Sequence, residues 1–589
     1  MSLAGVVTRR FPFGLRWLGA ALWRLEHAFE RARAAGRVED DARIRIFLVM
    51  LFFGLGFGAL AMGATQAALF SGSGGGGGPG GMPPQARADI VDREGRLLAA
   101  DLLHYGLYVD PAEVWDRDAT RQALARALPD VAAERLDRAL TSDRRTFLVG
   151  GMTPIQKAAI HQLGLPGVTF EPEQKRVYPL NHTASHLIGF ADTGGEGLAG
   201  AELALNDDIR SLARGSGEMA LSIDLRIQGA LEDELRKAVQ AYGPKGAVGV
   251  VAHVHTGEIL GLASYPDFDP NVASTASANE RLNRAASSVF EMGSTFKAFT
   301  VAIGLDTGVA TMASTFDARE PYKLGYRTIH DYHASRKVLN LVEVFQHSSN
   351  IGTAKLAVGV GPERLSRYFT ALGLTTAADV ELKESASPLT PKVWNEDAVA
   401  STSFGHGMNV SPLALTRAML PLLNGGKLVP LTIRKQAPGY RPEAKRVLSE
   451  TTSAQMLQIM RANVTGGSGG KADAPGLSVG GKTGTGEKYD PEIRRYNGKR
   501  QVSSFAAVFP SDGPLENDRY FVLILLDEPH GTPETFGYST GGWVAAPATG
   551  QVITRIAPFL GVSRHIGPLA NQPRLASAPS APAILGEAR

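Results

Sequence analysis

The sequence predicts an α+β protein with three structural parts. These are an N-terminal transmembrane helix, an α+β pedestal domain, and a larger C-terminal domain whose antiparallel sheet is covered by helices. Three observations lead there. A long apolar run near the N-terminus carries no charge. Strand-like and helix-like patterns mix over residues 87–215. Apolar strands stand at both ends of residues 218–562, with helical periodicity between them, as expected when the two ends of a domain close one sheet.

Between Arg45 and Arg87 no residue is charged, and 46–64 reads IFLVMLFFGLGFGALAMGA. A helix rises about 1.5 Å per residue, so about 20 such residues cross a bilayer core of about 30 Å. Residues 46–66 are therefore read as the anchor. The preceding segment, 1–45, has nine arginines against five acidic residues, which places it in the cytoplasm. It is also too long for the head of a cleaved signal peptide. Residues 67–86, rich in glycine and proline, form a linker.

Within 87–215, ADIVDREGRLLAA (88–100) reads as strand, turn and strand, with Glu94-Gly95 at the turn. Residues 117–165 show apolar spacing of three and four and read as helical. Residues 175–202 are loop-rich. From 218 onward, MALSIDLRIQ alternates like a strand and runs into the helix LEDELRKAVQAY. GAVGVVAHV and GEILGLAS then form two strands joined at His255-Thr256-Gly257. SSFAAVFP (503–510) and RYFVLILLDE (519–528) return as late strands. Residues 563–589, rich in Pro, Ala and Ser, read as a disordered tail.

A net charge of +3 over 589 residues provides no field for gripping nucleic acid. The absence of cysteine excludes disulfides, thiolate metal sites and a thiol nucleophile. His330 and His333 lack a third ligand, so no metal is expected, and nothing in the chain calls for another cofactor.

Three short elements carry chemistry. Ser294 opens STFKAFTVAIGL, apolar nearly all round and hence a buried helix. Lys297 lies one turn away on the same face, with no polar helix face to receive it. Ser348 and Asn350 stand between two helical stretches, where such residues form turns or, equally, relay a proton and hold a carbonyl. Lys482, Thr483, Gly484 and Thr485 lie on a strand, LSVGGKTGT (477–485), whose glycine admits another backbone and whose edge can pair with an extended peptide. Two look-alikes are set aside. Ser468 precedes Lys471 by three residues but sits in a glycine run, and Ser277 to Asn279 precedes Ser294.

Ser-x-x-Lys, Ser-x-Asn and Lys-Thr-Gly together are the signature of penicillin-binding proteins and class A β-lactamases. The likeness goes further. GAVGVVAHVHTGEILGLASYPDFDPN (246–271), NRA (283–285), FEMGSTFK (290–297), SFGHGMNVSPLAL (403–415) and GGWVAAP (541–547) closely resemble class B penicillin-binding proteins. Residues 87–100, VYP (177–179) and GLAGAE (197–202) look like that family's non-catalytic pedestal, of the dimerisation type. HSSNIGTAKLA resembles the division-specific, septal enzyme, because Asn350 stands where the elongation enzyme has aspartate. Met292 and His253 depart from the pattern, where the family often has proline and aspartate.

This resemblance implies a monofunctional peptidoglycan D,D-transpeptidase acting on stem peptides ending in D-Ala-D-Ala and inhibited covalently by β-lactams. It implies Ser294 as nucleophile, Lys297 as its base, Ser348 as proton relay and Asn350 as orienting group. Lys482 and Thr483 would hold the terminal carboxylate, Gly484 would leave room for the substrate backbone, and the N–H groups of Ser294 and Thr485 would form the oxyanion hole. It also implies an inner-membrane protein with its catalytic domain in the periplasm, working with a polytopic glycosyltransferase and other division proteins. A β-lactamase or a β-lactam sensor shares the motifs but needs no pedestal of this size. A non-catalytic division scaffold would not need Ser294, Lys297 and Lys482 intact.

The topology reading is testable by fusion. A reporter joined after residue 575 is expected to be active only if it works outside the cytoplasm, and cytoplasmic activity there would reverse the orientation.

Overall fold

The computed structural model describes residues 86–490 and 495–565, with a few single positions between 27 and 57. Among the described residues no helix is long and apolar enough to cross a membrane. Most of the anchor at 46–66, nearly all of the linker at 67–86 and most of the tail lie outside the described residues. The chain divides at residues 83–84 into two units, and the second carries all the architecture below.

Its first domain is built on a five-stranded sheet. β1 (Asp89–Val91) and β2 (Leu97–Val109) form the expected hairpin, with Gly95 at φ +80 in the turn. Helices α1 (Arg117–Ala127) and α2 (Ala133–Thr141) come next. The continuous helical reading of 117–165 then fails. Thr146–Met152 is a strand, β3, paired with β2, and only Pro154–His161 returns to helix, α3. The three-residue apolar stretch Phe147–Val149 fits either period, and the ladder offered by β2 decided it. β4 (Val168–Val177) pairs with β2 along ten residues.

β5 (Glu218–Ala220) pairs in parallel with β1. The strand expected to open the second domain thus covers an edge of the first sheet. Asp224 then caps α4 (Leu225–Tyr242), accepting from Arg226 N at 2.9 Å, and Gly243 at φ +52 ends it.

The second sheet contains β6 (Gly246–His253), β7 (Ile259–Tyr265), β8 (Gly480–Asp490), β9 (Arg495–Phe509) and β10 (Tyr520–Asp527). Its order is β8-β9-β10-β6-β7, every pair antiparallel, so the two ends of the domain do close one sheet. β8 begins at Gly480 and not at Leu477, because Ser478 at φ +50 breaks the extended run. Both faces are buried. On β10, Phe521, Leu523 and Leu525 enter one core while Val522, Ile524 and Leu526 enter another. That is why these strands read as unbroken apolar runs. The second core is covered by α4 and α9 (Gly541–Ile556).

The first core runs from Ile90, Leu98 and Leu187 through Val248 to Phe296 and Phe299, so pedestal and sheet domain share one hydrophobic interior. At His253, where aspartate is common in the resembling family, the ring nitrogen Nδ1 accepts from His255 N and Thr256 N, each at 3.2 Å. Burial pushes this histidine down to about 4. It is therefore neutral and able to cap the turn as a carboxylate would.

The pedestal's base is held by a buried ion cluster. Glu202, fully buried, receives Arg87 at 2.5 Å and Arg176 at 2.6 Å, with Tyr178 Oη donating at 3.2 Å. Removing one partner of such a cluster leaves charge uncompensated. Glu202→Ala is expected to destabilise the fold by about 3–5 kcal/mol, read as a lowered urea midpoint with unchanged slope. A shift under about 1 kcal/mol would show the cluster to be effectively solvated.

Candidate active site

The site lies where a helix-rich lobe meets the β8 edge of the second sheet. Gly293–Phe296 forms a single 3-10 turn that runs into α5 (Lys297–Asp306), whose first eight residues are all buried. The two lobes touch at glycines. Gly293 has φ +53, and a Cβ there would lie 2.1 Å from Thr485 O. A Cβ on Gly484 would lie 2.3 Å from both Ser504 Oγ and Thr295 Oγ1. The Ser294 turn can sit against β8 only because both positions lack side chains.

Between them stands Ser348. It comes after α6 (Leu341–Gln346), precedes α7 (Asn350–Val360), and has φ +55. Lys297 Nζ donates to its Oγ at 3.0 Å and also to its carbonyl oxygen. Lys482 Nζ donates to the same Oγ at 3.0 Å and to Thr483 Oγ1 at 3.1 Å, and sits 5.5 Å from the centre of the Phe345 ring. Two fully buried lysine side chains thus converge on one hydroxyl.

Burial dominates the proton affinity of both lysines. It holds Lys297 well below the usual lysine range, with the Lys482 charge adding to the effect and Asp331 opposing it. Burial brings Lys482 down to about 7. For Lys297 burial is the larger cause and repulsion by Lys482 the smaller. A neutral amine at Lys297 is a competent proton acceptor.

Of the eight residues singled out in the sequence, six lie together: Ser294, Lys297, Ser348, Lys482, Thr483 and Gly484. Thr485 is beside them, its hydroxyl accepting from Gly541 N at 3.2 Å. Asn350 differs in detail. Its amide nitrogen donates to His330 O at 3.0 Å, and it makes no bond to Lys297 among the described residues. Ser294, one turn from Lys297, is half-buried, and its Oγ makes no hydrogen bond among the described residues.

Sequence reasoning missed three participants. Asp331 accepts from Ser349 Oγ at 2.8 Å and from Ile351 N at 3.0 Å, pinning the Ser348 turn. The sequence draws attention to its neighbours His330 and His333 but not to the carboxylate between them. Ser468, set aside as a look-alike, places its hydroxyl 3.0 Å from Thr483 Oγ1, held there by Asn463 at the end of helix α8 (Glu450–Gly466). Glu291 accepts from Gly407 N at 3.0 Å and Tyr496 Oη at 2.8 Å, and Tyr496 stacks on His406 at 5.9 Å. Nothing local marks Asp331 or Ser468, since both act across more than ten residues of chain.

Residues 247–554 match the family model described as the penicillin-binding protein transpeptidase domain. A second, the penicillin-binding protein dimerisation domain, matches residues 83–202. The chain belongs to the penicillin-binding protein family. Relatives agree. The probable peptidoglycan D,D-transpeptidase FtsI of Caulobacter vibrioides is 69% identical over 568 residues, covering 95% of this chain and 96% of the relative. Peptidoglycan D,D-transpeptidase FtsI of Escherichia coli K12 is 30% identical over 501 residues, covering 80% and 82%. The crystal structure of penicillin-binding protein 3 from Mycobacterium tuberculosis, complexed with aztreonam, shares the fold. Its TM-score is 0.63 at 24% identity, over 82% of this chain and 98% of that one.

The glycine contact yields a direct test. Gly484→Ala would force Ser504, Thr295 or the Met292 backbone to move. It is expected to slow penicillin acylation by at least about 100-fold, in keeping with the cost of a 1 Å misplacement. A near-normal rate, measured with labelled penicillin, would show that the lobes need not meet this closely.

Proposed function

We propose that this chain is the septal peptidoglycan D,D-transpeptidase of its cell. In this reading it is held in the inner membrane by one N-terminal span, with its catalytic domain in the periplasm. The observation that carries the reaction is the convergence of Lys297 and Lys482 on Ser348 Oγ beside Ser294. One lysine is held below its usual range next to a hydroxyl nucleophile, and the other offers positive charge at the edge strand where a peptide carboxylate would arrive.

Each residue has a step. Ser294 Oγ attacks the carbonyl of the penultimate D-alanine of a stem peptide, and Lys297 takes its proton. The N–H groups of Ser294 and Thr485 stabilise the developing oxyanion. Ser348, bridging the two lysines, passes the proton to the nitrogen of the terminal D-alanine as the C–N bond breaks. Lys482 and Thr483 bind that residue's carboxylate until it leaves, and Asn350 orients the peptide. An amine of a neighbouring strand then attacks the Ser294 ester, gives its proton to Lys297, and releases Ser294 with its hydroxyl restored. β-Lactams enter by the first half of this path and stay as esters. A polytopic glycosyltransferase and other division proteins are the partners this role calls for.

Labelled penicillin tests the assignment. Ser294→Ala is expected to lose all covalent label while its thermal midpoint stays within a degree or two of wild type, judged by the ~0.5 kcal/mol span of substitutions away from packed features. Lys297→Arg keeps the charge but cannot give up a proton, so it is expected to be nearly as slow as Lys297→Ala. Full labelling of the first variant would remove Ser294 as nucleophile. Substantial rescue by arginine would remove Lys297 as base.

A further inference from the structure

The cleft has a direction, and beyond its catalytic residues stands a cation that the reaction steps do not use. With the terminal carboxylate on Lys482 and Thr483, and the scissile carbonyl at Thr485, a peptide lying along β8 runs its earlier residues toward Gly486 and Glu487. Gly486 is four residues from Lys482, about 13 Å at the rise of a strand. A Cβ there would lie 2.1 Å from Glu291 O. Glu291 Oε1 in turn takes Gly407 N and Tyr496 Oη. His406, next to Gly407, stacks on Tyr496 and meets the Phe404 ring edge-on at 5.3 Å. Gly405 anchors this turn to the nucleophile, since a Cβ on it would lie 2.1 Å from Gly293 O.

Arg327 stands beside the same turn. It belongs to a hairpin of Tyr322–Leu324 and Arg327–Ile329, in which it is paired with Leu324. Leu324 and Phe404 pack against one small core that holds Ile329, Val344 and Ala400. Arg327 Nη1 donates to Ser401 Oγ, in the helix Glu396–Thr402, and Ser401 gives its own proton to Asp397 O at 2.7 Å. The charge of Arg327 is felt in the cleft. Burial pushes His406 down to about 4, and the Lys297 and Arg327 charges both add to the effect, so one imidazole lies close to both cations.

The rest of the guanidinium is unspent. Arg327 is exposed, and among the described residues it forms no ion pair and bonds to no side chain beyond Ser401. Glu291 does not neutralise it: one carboxylate oxygen is taken by Gly407 and Tyr496, and burial pushes its carboxyl up, with Glu487 adding to the effect. A guanidinium fixed through one nitrogen, with its other N–H groups open to water, suits a carboxylate received by two parallel bonds.

We propose that Arg327 binds a second carboxylate of the peptide substrate, carried on a residue ahead of the terminal D-Ala-D-Ala, and so favours acidic over neutral peptides. The proposal rests on the transpeptidase reading, which sets the direction of the peptide along β8. Arg327 takes no part in the proton transfers, and its role is specificity.

Two penicillins test this. Benzylpenicillin and its α-carboxy derivative share one ring system and differ by a single carboxylate on the acyl side chain, the part that replaces the residue before D-Ala-D-Ala. Acylation rates of the full chain in detergent are measured for both by competition with labelled penicillin. The ratio of the two rates is the readout, so a general loss of activity cancels. In Arg327→Gln the ratio is expected to shift about fivefold against the α-carboxy compound, the upper end for an exposed ion pair. In wild type the ratio should shift the same way as salt is raised, because an exposed pair is screened. The wild-type series keeps the test decisive if the variant folds poorly. An unchanged ratio in Arg327→Gln, or a wild-type ratio indifferent to salt, would overturn the proposal. Failure of wild type to be acylated by either compound would overturn the transpeptidase reading itself, and this proposal with it.

Discussion

Two lysine amines that form no ion pair among the described residues meet at the Ser348 hydroxyl, and most of the site's architecture serves to make that tolerable. Taking an unpaired charge out of water is costly, so the protein lowers the proton affinity of both lysines instead. The fold still has to supply acceptors. Ser348 offers its hydroxyl to both amines and its carbonyl to Lys297, and it can do so only from a left-handed backbone at φ +55. Asp331 holds that strained turn from the preceding loop and adds the nearest negative charge. Strain of this kind persists only where surrounding contacts over-determine it.

The hydrophobic framework serves the same end. α5 is buried on every side, so Lys297 has no route to solvent and points into the cleft by elimination. The sheet is sandwiched between two cores, and β8 is one of its two edges, where backbone groups remain to meet a peptide. Because the larger core continues into the pedestal, the Arg87–Glu202–Arg176 cluster, the second sheet and α5 rest on one packed interior. Interiors of that density transmit small displacements instead of absorbing them. This gives the pedestal a physical route to the cleft that needs no contact with substrate.

Much of this is legible in the sequence for particular reasons. The β6–β7 hairpin declares itself through His255-Thr256-Gly257 between two apolar runs, and the late strands through their length and β-branched content. Ser294 and Lys297 are legible because helical spacing alone fixes their common face. The strand at Thr146–Met152 is not, since its apolar stretch is too short to show a period and its partner strand lies elsewhere in the chain.

What the sequence by itself determined is therefore whatever depends on near neighbours. That includes the apolar run ahead of the folded domains, the strands with their turns, the serine and lysine one turn apart, and three motifs in an order that identifies the family. Tertiary structure decided everything that depends on distance through space. It joined Glu218–Ala220 to the first sheet, turned Asn350 toward His330, and set Asp331 and Ser468 against the motifs. It also lowered the proton affinity of Lys297 and Lys482. The reason is common to all of these. Local propensity and spacing act over a few residues of chain, whereas burial, charge coupling and close backbone approach exist only after segments more than a hundred residues apart, such as Lys297 and Lys482, have packed together.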